Sequence, residues 1–309
     1  MPSFPIVDTH LHLWDTSKLR YPWLDGIPLR NRPYGLAEFD KARGAVAVEA
    51  MVFLQCEAEF SQFLDEAAWV AGQAESEPRL KGMVAWAALE KGAAVKADLE
   101  RLSQHKILRG VRRIIQFEPD LDFCLNPAFI EGVNCLPEFD LSFDICIDHR
   151  HFANVIAFAK RCPDVAMVLD HIGKPDIRGG GIEPWRSQIR ELAQLPNVIC
   201  KLSGVATEAD HKSWTREQLK PFILAAVDVF GFDRLVFGGD WPVASQAIAY
   251  PAWVETLDWA LAGASGRTQE GLPRQRGRLL PAVNRTLMLS LSKHEAPGIS
   301  RPHPSMGSG

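Results

Sequence analysis

Short apolar runs recur along the chain at intervals of about twenty to forty-five residues, at 5–13, 50–56, 81–87, 108–115, 141–147, 166–169, 198–202 and 234–237. This repetition limits the fold more than any other feature. Most of the runs are unbroken rather than alternating, as expected of parallel strands covered on both faces. Between them lie segments of helical period, among them 61–75, 93–104, 151–162, 185–195 and 216–231. Glu66, Lys96 and Arg190 fall on the polar sides of these segments, as surface helices require. Eight strand–helix alternations over about 260 residues predict the α/β class and a single-domain (β/α)8 TIM barrel, whose usual size is about 250 residues. A doubly wound open sheet would want a glycine-rich fingerprint after an early strand, and the chain has none.

Two stretches break the rhythm. The segment 17–44, with LRYPWLDGIPLRNRPYG at its centre, combines Pro, Tyr, Trp and Arg without any period, and reads as a long lid-like loop. A second irregular stretch, FEPDLDFCLNPAF, follows the fourth run and is placed to border a site. The barrel is expected over 1–263. The tail, 264–309, differs in kind, with seven Lys or Arg against two Asp or Glu and little amphipathic period. Its GLPRQRGRLLPAVN can be encoded so that a shifted frame reads VFHDNAVAFYRL and then a stop, a coherent amphipathic ending. The tail is therefore read as a frameshift product and given no function.

The whole chain carries a formal charge of −4, so no broad cationic field is available to hold nucleic acid or an anionic membrane. No run of eighteen apolar residues exists, and the first residues lack the basic and apolar regions of a signal peptide. Six scattered cysteines without a C-x-x-C read as reduced, buried thiols. The expectation is a cytoplasmic protein with a small-molecule substrate, no nucleic-acid or membrane partner, and an oligomeric state left open.

The strongest local signal is Asp8-Thr9-His10-Leu11-His12 at the end of the first strand. Residues two apart on a strand face the same side, so His10 and His12 both point towards the barrel mouth. Two neutral imidazoles there can bind a divalent metal, or polarise a carbonyl oxygen without one. Other polar groups stand where later strands end: Glu57, Arg112 and Arg113, His149 with Arg150, His171, Lys201 and Asp240. Active sites of barrel enzymes are built at this C-terminal face. Each has a plainer reading: Arg113 as partner of a surface acid, His149 as a helix cap, Asp148 and Asp170 as turn residues or as groups fixing an imidazole tautomer. Convergence of His10, His12, His171 and Asp240 is harder to assign to chance.

The ordered motifs DTHLHLWD, DHIGKP, KLSG and FGGDWP resemble the amidohydrolase superfamily, in particular its amidohydrolase-2 branch of sugar lactonases and 2-pyrone-4,6-dicarboxylate lactonase. The similarity runs over 5–261, and the YPWL of the lid, Tyr21 to Leu24, looks most like the L-fuconolactonase and L-rhamnonolactonase group. The resemblance implies a (β/α)8 fold, and it maps the family's histidines onto His10, His12 and His171 and its final-strand aspartate onto Asp240. It also marks a departure. Binuclear members carry a carboxylated lysine at the fourth strand, where this chain has Arg112 and Arg113, so a carbamate-bridged metal pair is not expected. Either no metal is essential or one divalent ion is held by His10, His12, His171 and Asp240, with zinc first among the candidates.

The expected reaction is hydrolysis of a sugar-acid lactone, L-fucono-1,5-lactone first. Asp240 is the base for water, and His10, His12 and His171 stabilise the oxyanion directly or through an ion. Arg112 holds the carbonyl or a hydroxyl. Arg113, His149 and Glu57 are further substrate contacts, and Tyr21, Trp23 and Trp241 shape the sugar pocket. Arg30, Arg32, Arg112, Arg113 and Arg150 leave a dicarboxylate lactone open, since paired arginines are the usual clamp for such a dianion. Alternatives are a metal-dependent decarboxylase of the same superfamily, a catalytically dead sugar-binding barrel and, for the tail alone, nucleic-acid binding.

Overall fold

The computed structural model of the chain describes residues 5–27 and 30–262. The frameshift reading of 264–309 and the domain boundary near 263 lie outside the described residues. All eight apolar runs become strands: β1 Ile6–Leu11, β2 Val48–Leu54, β3 Leu80–Ala85, β4 Leu108–Val111, β5 Ser142–Ile145, β6 Met167–Leu169, β7 Val198–Leu202 and β8 Leu235–Phe237. They pair in parallel in chain order, β1 through β8. The ring is closed where β1 meets the segment after β8. Asp240 N donates to His10 O over 2.8 Å, and His12 N donates to Trp241 O over 2.8 Å.

The helices are α1 Leu36–Arg43, α2 Phe63–Ser76, α3 Lys96–Leu102, α4 Pro127–Asn134, α5 Phe152–Ala159, α6 Trp185–Leu192, α7 Arg216–Phe230 and α8 Tyr250–Leu261. They cover the outside of the sheet, α5 to α8 packing in sequence and α8 returning to α1. Local chemistry sets several boundaries. The Thr215 hydroxyl accepts from Gln218 N at the start of α7, and Gly231 ends that helix at φ 65°. Asn126 caps α4 by accepting from Ala128 N.

Three expectations need correction. β4 and β5 stop at Val111 and Ile145, before their apolar runs end, because the next residues leave the ladder to cross the barrel mouth. There Ile115 N and Gln116 N both turn to Cys146 O, each over 3.1 Å. The irregular segment 17–44 contains a helix, α1, started by Glu38 accepting from Gly35 N at 2.9 Å and ended with Lys41 and Arg43 in its last turn. Glu66 is not on a solvated helix face. It is 2% exposed, with its carboxyl Oε1 accepting from Cys56 N over 3.1 Å. All six cysteines are buried and free, as expected. No helix among the described residues is long and apolar enough to cross a membrane.

Apolar packing fills the space between sheet and helices, with Phe129, Phe143 and Phe158 in mutual ring contact. The barrel interior differs. Val52, Leu54 and Val84 form a small separate cluster there, beside a buried polar layer of Arg112, Asp144, Asp170 and Lys201. A barrel core is usually layered with branched apolar side chains, so a polar layer must be held by internal partners.

Candidate active site

The polar layer supplies those partners. Lys201 Nζ reaches Asp144 Oδ2 and Asp170 Oδ1, each over 2.7 Å. Arg112 adds its Nη1 to Asp170 Oδ2 at 3.3 Å and donates from Nη2 to Gln55 O at 2.6 Å. Two cations and two carboxylates therefore neutralise one another, the condition for burying charge at tolerable cost. Burial pushes Lys201 down, but Asp144 and Asp170 outweigh it and hold the ammonium charged. Asp170 stays ionised in turn, its burial overcome by Lys201 and His10.

His10 and His12 stand above this layer, facing inward as their spacing on β1 predicts. His12 Nδ1 donates to Leu54 O over 2.9 Å, which leaves its Nε2 as a lone pair. His10 Nδ1 faces Asp170 Oδ1 at 3.4 Å, which assigns the ring proton to that side and frees Nε2. The two Nε2 atoms lie 3.0 Å apart, and Asp240 Oδ1 lies 3.6 Å from that of His10 and 3.5 Å from that of His12. His171 completes the group, its ring centroid 4.5 Å from that of His10 and its Nδ1 2.9 Å from Ser203 Oγ.

Burial pushes all three imidazoles below their ordinary range, His171 to about 4, so they are neutral at pH 7. Burial would raise the Asp240 carboxyl, but the surrounding His171, His12 and His10 hold it well below the usual carboxylate range. Two nitrogen lone pairs and a carboxylate oxygen thus converge with no proton between them, an arrangement that calls for a cation. Three ligands at about 2.0–2.2 Å from one tetrahedral zinc must stand roughly 3.3–3.6 Å apart, close to the observed spacings. The residues fit one divalent ion. At the fourth strand, the position of a second, the guanidinium of Arg112 comes to 3.3 Å from His10 Nε2.

The backbone that aims these groups is strained. Glu57, His171 and Asp240 adopt φ of 53°, 55° and 51°, a region that L-residues enter only where surrounding structure compels it. Gly204, at φ 58°, lets the chain pass under the site, since a Cβ there would stand 2.5 Å from His171 Nδ1. Asp8 ties the two ends of the ring together by accepting from Gly239 N and Tyr250 Oη, each over 2.9 Å.

Above the floor opens a cavity of about 480 Å³. Of the residues singled out from sequence, it brings together His12, Trp23, Glu57, Arg112, His171 and Asp240, with His10 directly beneath. Arg113, Tyr21, Trp241 and His149 do not line it. Arg113 is held by Glu90 and Glu118 and lies over the Phe123 ring. Tyr21 is buried behind Trp14, and Trp241 packs between Tyr34 and Phe39. The backbone N–H of His149 donates to Lys174 O. Sequence reading missed Gln116, Lys174, Thr207 and Glu208, which also line the cavity. Lys174 was within reach, three residues past His171 in DHIGKP. Glu208 carried no signal, ending a single short 3-10 turn, Val205–Glu208, after β7. A second cavity, of about 390 Å³, opens at the opposite end of the barrel and ends against Lys201 and Asp144.

The family model described as Amidohydrolase matches residues 7–272. An L-fucono-1,5-lactonase of Burkholderia ambifaria is 31% identical over 258 residues, covering 82% of this chain and 86% of the relative. The L-fucono-1,5-lactonase of Burkholderia multivorans is 33% identical over 268 residues, covering 82% and 88%. A crystal structure of a zinc-bound amidohydrolase from Burkholderia multivorans superposes with a TM-score of 0.79 at 29% identity, covering 94% of this chain and 99% of that one.

Proposed function

The chain belongs to the amidohydrolase family, and from that premise we propose that it opens the lactone of a sugar acid to the hydroxy acid at the mouth of its barrel. It is a lactonase of the amidohydrolase superfamily, and a six-carbon aldonolactone, L-fucono-1,5-lactone first, is its substrate. The observation that carries this reading is the convergence of His10, His12 and Asp240 on the floor of a cavity large enough for one sugar ring.

A lactone is an ester whose carbonyl carbon is open to water. Asp240, ionised and in contact with the imidazoles, takes the proton as the water oxygen bonds to that carbon. Its carboxyl then returns the proton to the ring oxygen as the carbon–oxygen bond breaks. Positioned proton transfer of this kind contributes typically ~10²–10⁴-fold. The oxyanion forms near the Arg112 guanidinium and meets the Nε2–H of His171, assigned by a Ser203 hydroxyl donating to Nδ1. His10, His12 and Asp240 would hold the divalent ion, zinc first, with His171 beside it. Such an ion supplies Lewis acidity towards a carbonyl oxygen and lowers the pKa of water. Trp23 and Glu57 touch the substrate, whereas Arg113, His149, Tyr21 and Trp241 support the walls around it.

A pH-indicator assay over aldonolactones and 2-pyrone-4,6-dicarboxylate tests the reading. Rapid acid release from a sugar lactone is the expected result. A folded protein that released no acid from any lactone would contradict it.

A further inference from the structure

The cavity is lined by Trp14, by Trp23 and Ile27 of the lid, and by Gln116, Lys174, Thr207 and Glu208, which the hydrolytic step does not use. Lys174 Nζ donates to Gln116 Oε1 over 2.5 Å, and Lys174 itself is held in the left-handed region at φ 47°. Glu208 follows on the loop after β7, its Oε1 accepting from Thr207 Oγ1 over 3.1 Å. Both side chains line the same cavity, and burial raises the Glu208 carboxyl against the opposing Lys174 charge. Further round, Glu57 is fixed by Gln55, whose Nε2 donates to Glu57 Oε1 over 2.7 Å.

The charge on this lining is informative. Its cations are Arg112 and Lys174, and its carboxylates apart from Asp240 of the reacting centre are Glu57 and Glu208. Arg112 is committed below to Asp170 and Gln55 O. The other arginines that left a dicarboxylate open are engaged elsewhere: Arg113 with Glu90 and Glu118, Arg150 with Asp148, and Arg30 with Pro242 O. Arg32 lies over the Tyr34 ring. A substrate carboxylate would therefore face more anions than free cations. A hydroxyl both donates and accepts, so it suits a lining that offers both a carboxylate and an ammonium.

We propose that Glu208 and Lys174 read neighbouring hydroxyls on the substrate ring, so that the cavity takes a neutral polyhydroxylated lactone and rejects one bearing a free carboxylate. The inference rests on the lactonase reading and names the groups that choose among lactones. Glu208 accepts from one hydroxyl and Lys174 donates to the next. A site built to bond hydroxyls discriminates strongly against a ring that lacks them, because its polar groups are then left unpaired. Neither residue takes part in proton transfer, so their loss falls mainly on KM.

The test measures kcat and KM of the full chain and of Glu208→Gln and Glu208→Ala. The substrates are L-fucono-1,5-lactone, the unhydroxylated δ-valerolactone and a glucaric acid monolactone. The expected result is a fall of about tenfold or more in the kcat/KM ratio of the hydroxylated to the unhydroxylated lactone, carried by KM and larger in Glu208→Ala. Glu208→Gln, which removes only the charge, should also narrow the preference for the neutral lactone over the glucaric monolactone. Unchanged ratios in both variants overturn the proposal while leaving the lactonase reading in place. So does a wild-type chain that opens the glucaric monolactone as fast as the neutral sugar. If the wild type opens no lactone, the lactonase reading itself falls.

Discussion

At the scale of single residues, the site depends on groups held in unusual states by burial. Glu66 is the clearest outside the reacting set, its carboxyl pushed up to about 8 from an ordinary 4.5 by desolvation. Between those two values the folded chain keeps a proton that the unfolded chain has lost, so stability falls as pH rises through that window. Below about 4.5 both states are protonated and the group contributes nothing. The loss approaches a few kcal/mol by pH 8. Glu66→Gln keeps an acceptor for Cys56 N without the ionisation, so its melting temperature relative to wild type should climb by several degrees between pH 5 and pH 8. A difference that stays flat over that range would show that Glu66 does not titrate as described. The same burial hid Glu66 from the sequence. Helical period places it on a polar side, and only the path of Cys56 across the top of β2 explains why a carboxylate lies inward.

At the scale of elements, the eight strands were legible because parallel strands buried on both faces are written as unbroken apolar runs, and a run such as MVFLQC has few other uses. Their ends were less so, since Ile114 and Ile115 remain apolar after leaving the ladder, the first to line the cavity and the second to join the core. The histidines and Asp240 could be located because β-strand alternation and the barrel's polarity fix which end and which face a strand-terminal side chain takes. The wall after β7 could not, because loop residues carry no period. Nor could the helix within 17–44, whose short apolar stripe is outweighed by flanking prolines. That segment folds back on the site through named contacts. Trp14 Nε1 donates to Arg32 O, and Trp23 Nε1 donates to Cys56 O, each over 2.8 Å. Trp23→Ala removes both an aromatic wall and a tether, and should raise KM about tenfold while kcat changes less than about threefold. Equal losses in both would assign Trp23 to the reacting geometry instead.

At the scale of the whole molecule, a buried, neutralised ion network separates two cavities. Above it stand the imidazoles and Asp240, and below it the second cavity reaches only Lys201 and Asp144. The network explains why the fold tolerates a polar barrel core, and Arg112 explains why one ion fits where two would not. Metal analysis of the chain loaded with zinc and desalted should read about one equivalent, falling below about a tenth in His12→Ala. Two equivalents, or no change in the variant, would contradict the single His10–His12–Asp240 centre. The fold by itself supports many chemistries, so the account stands on the convergence of these side chains and on what Asp240 does there. Acid release from L-fucono-1,5-lactone, measured side by side for wild type and Asp240→Asn, tests that most directly. The account predicts turnover by the wild type, and a loss of ~10²–10⁴-fold in a variant that melts as the wild type does. A folded Asp240→Asn protein that opens the lactone at close to the wild-type rate would contradict it.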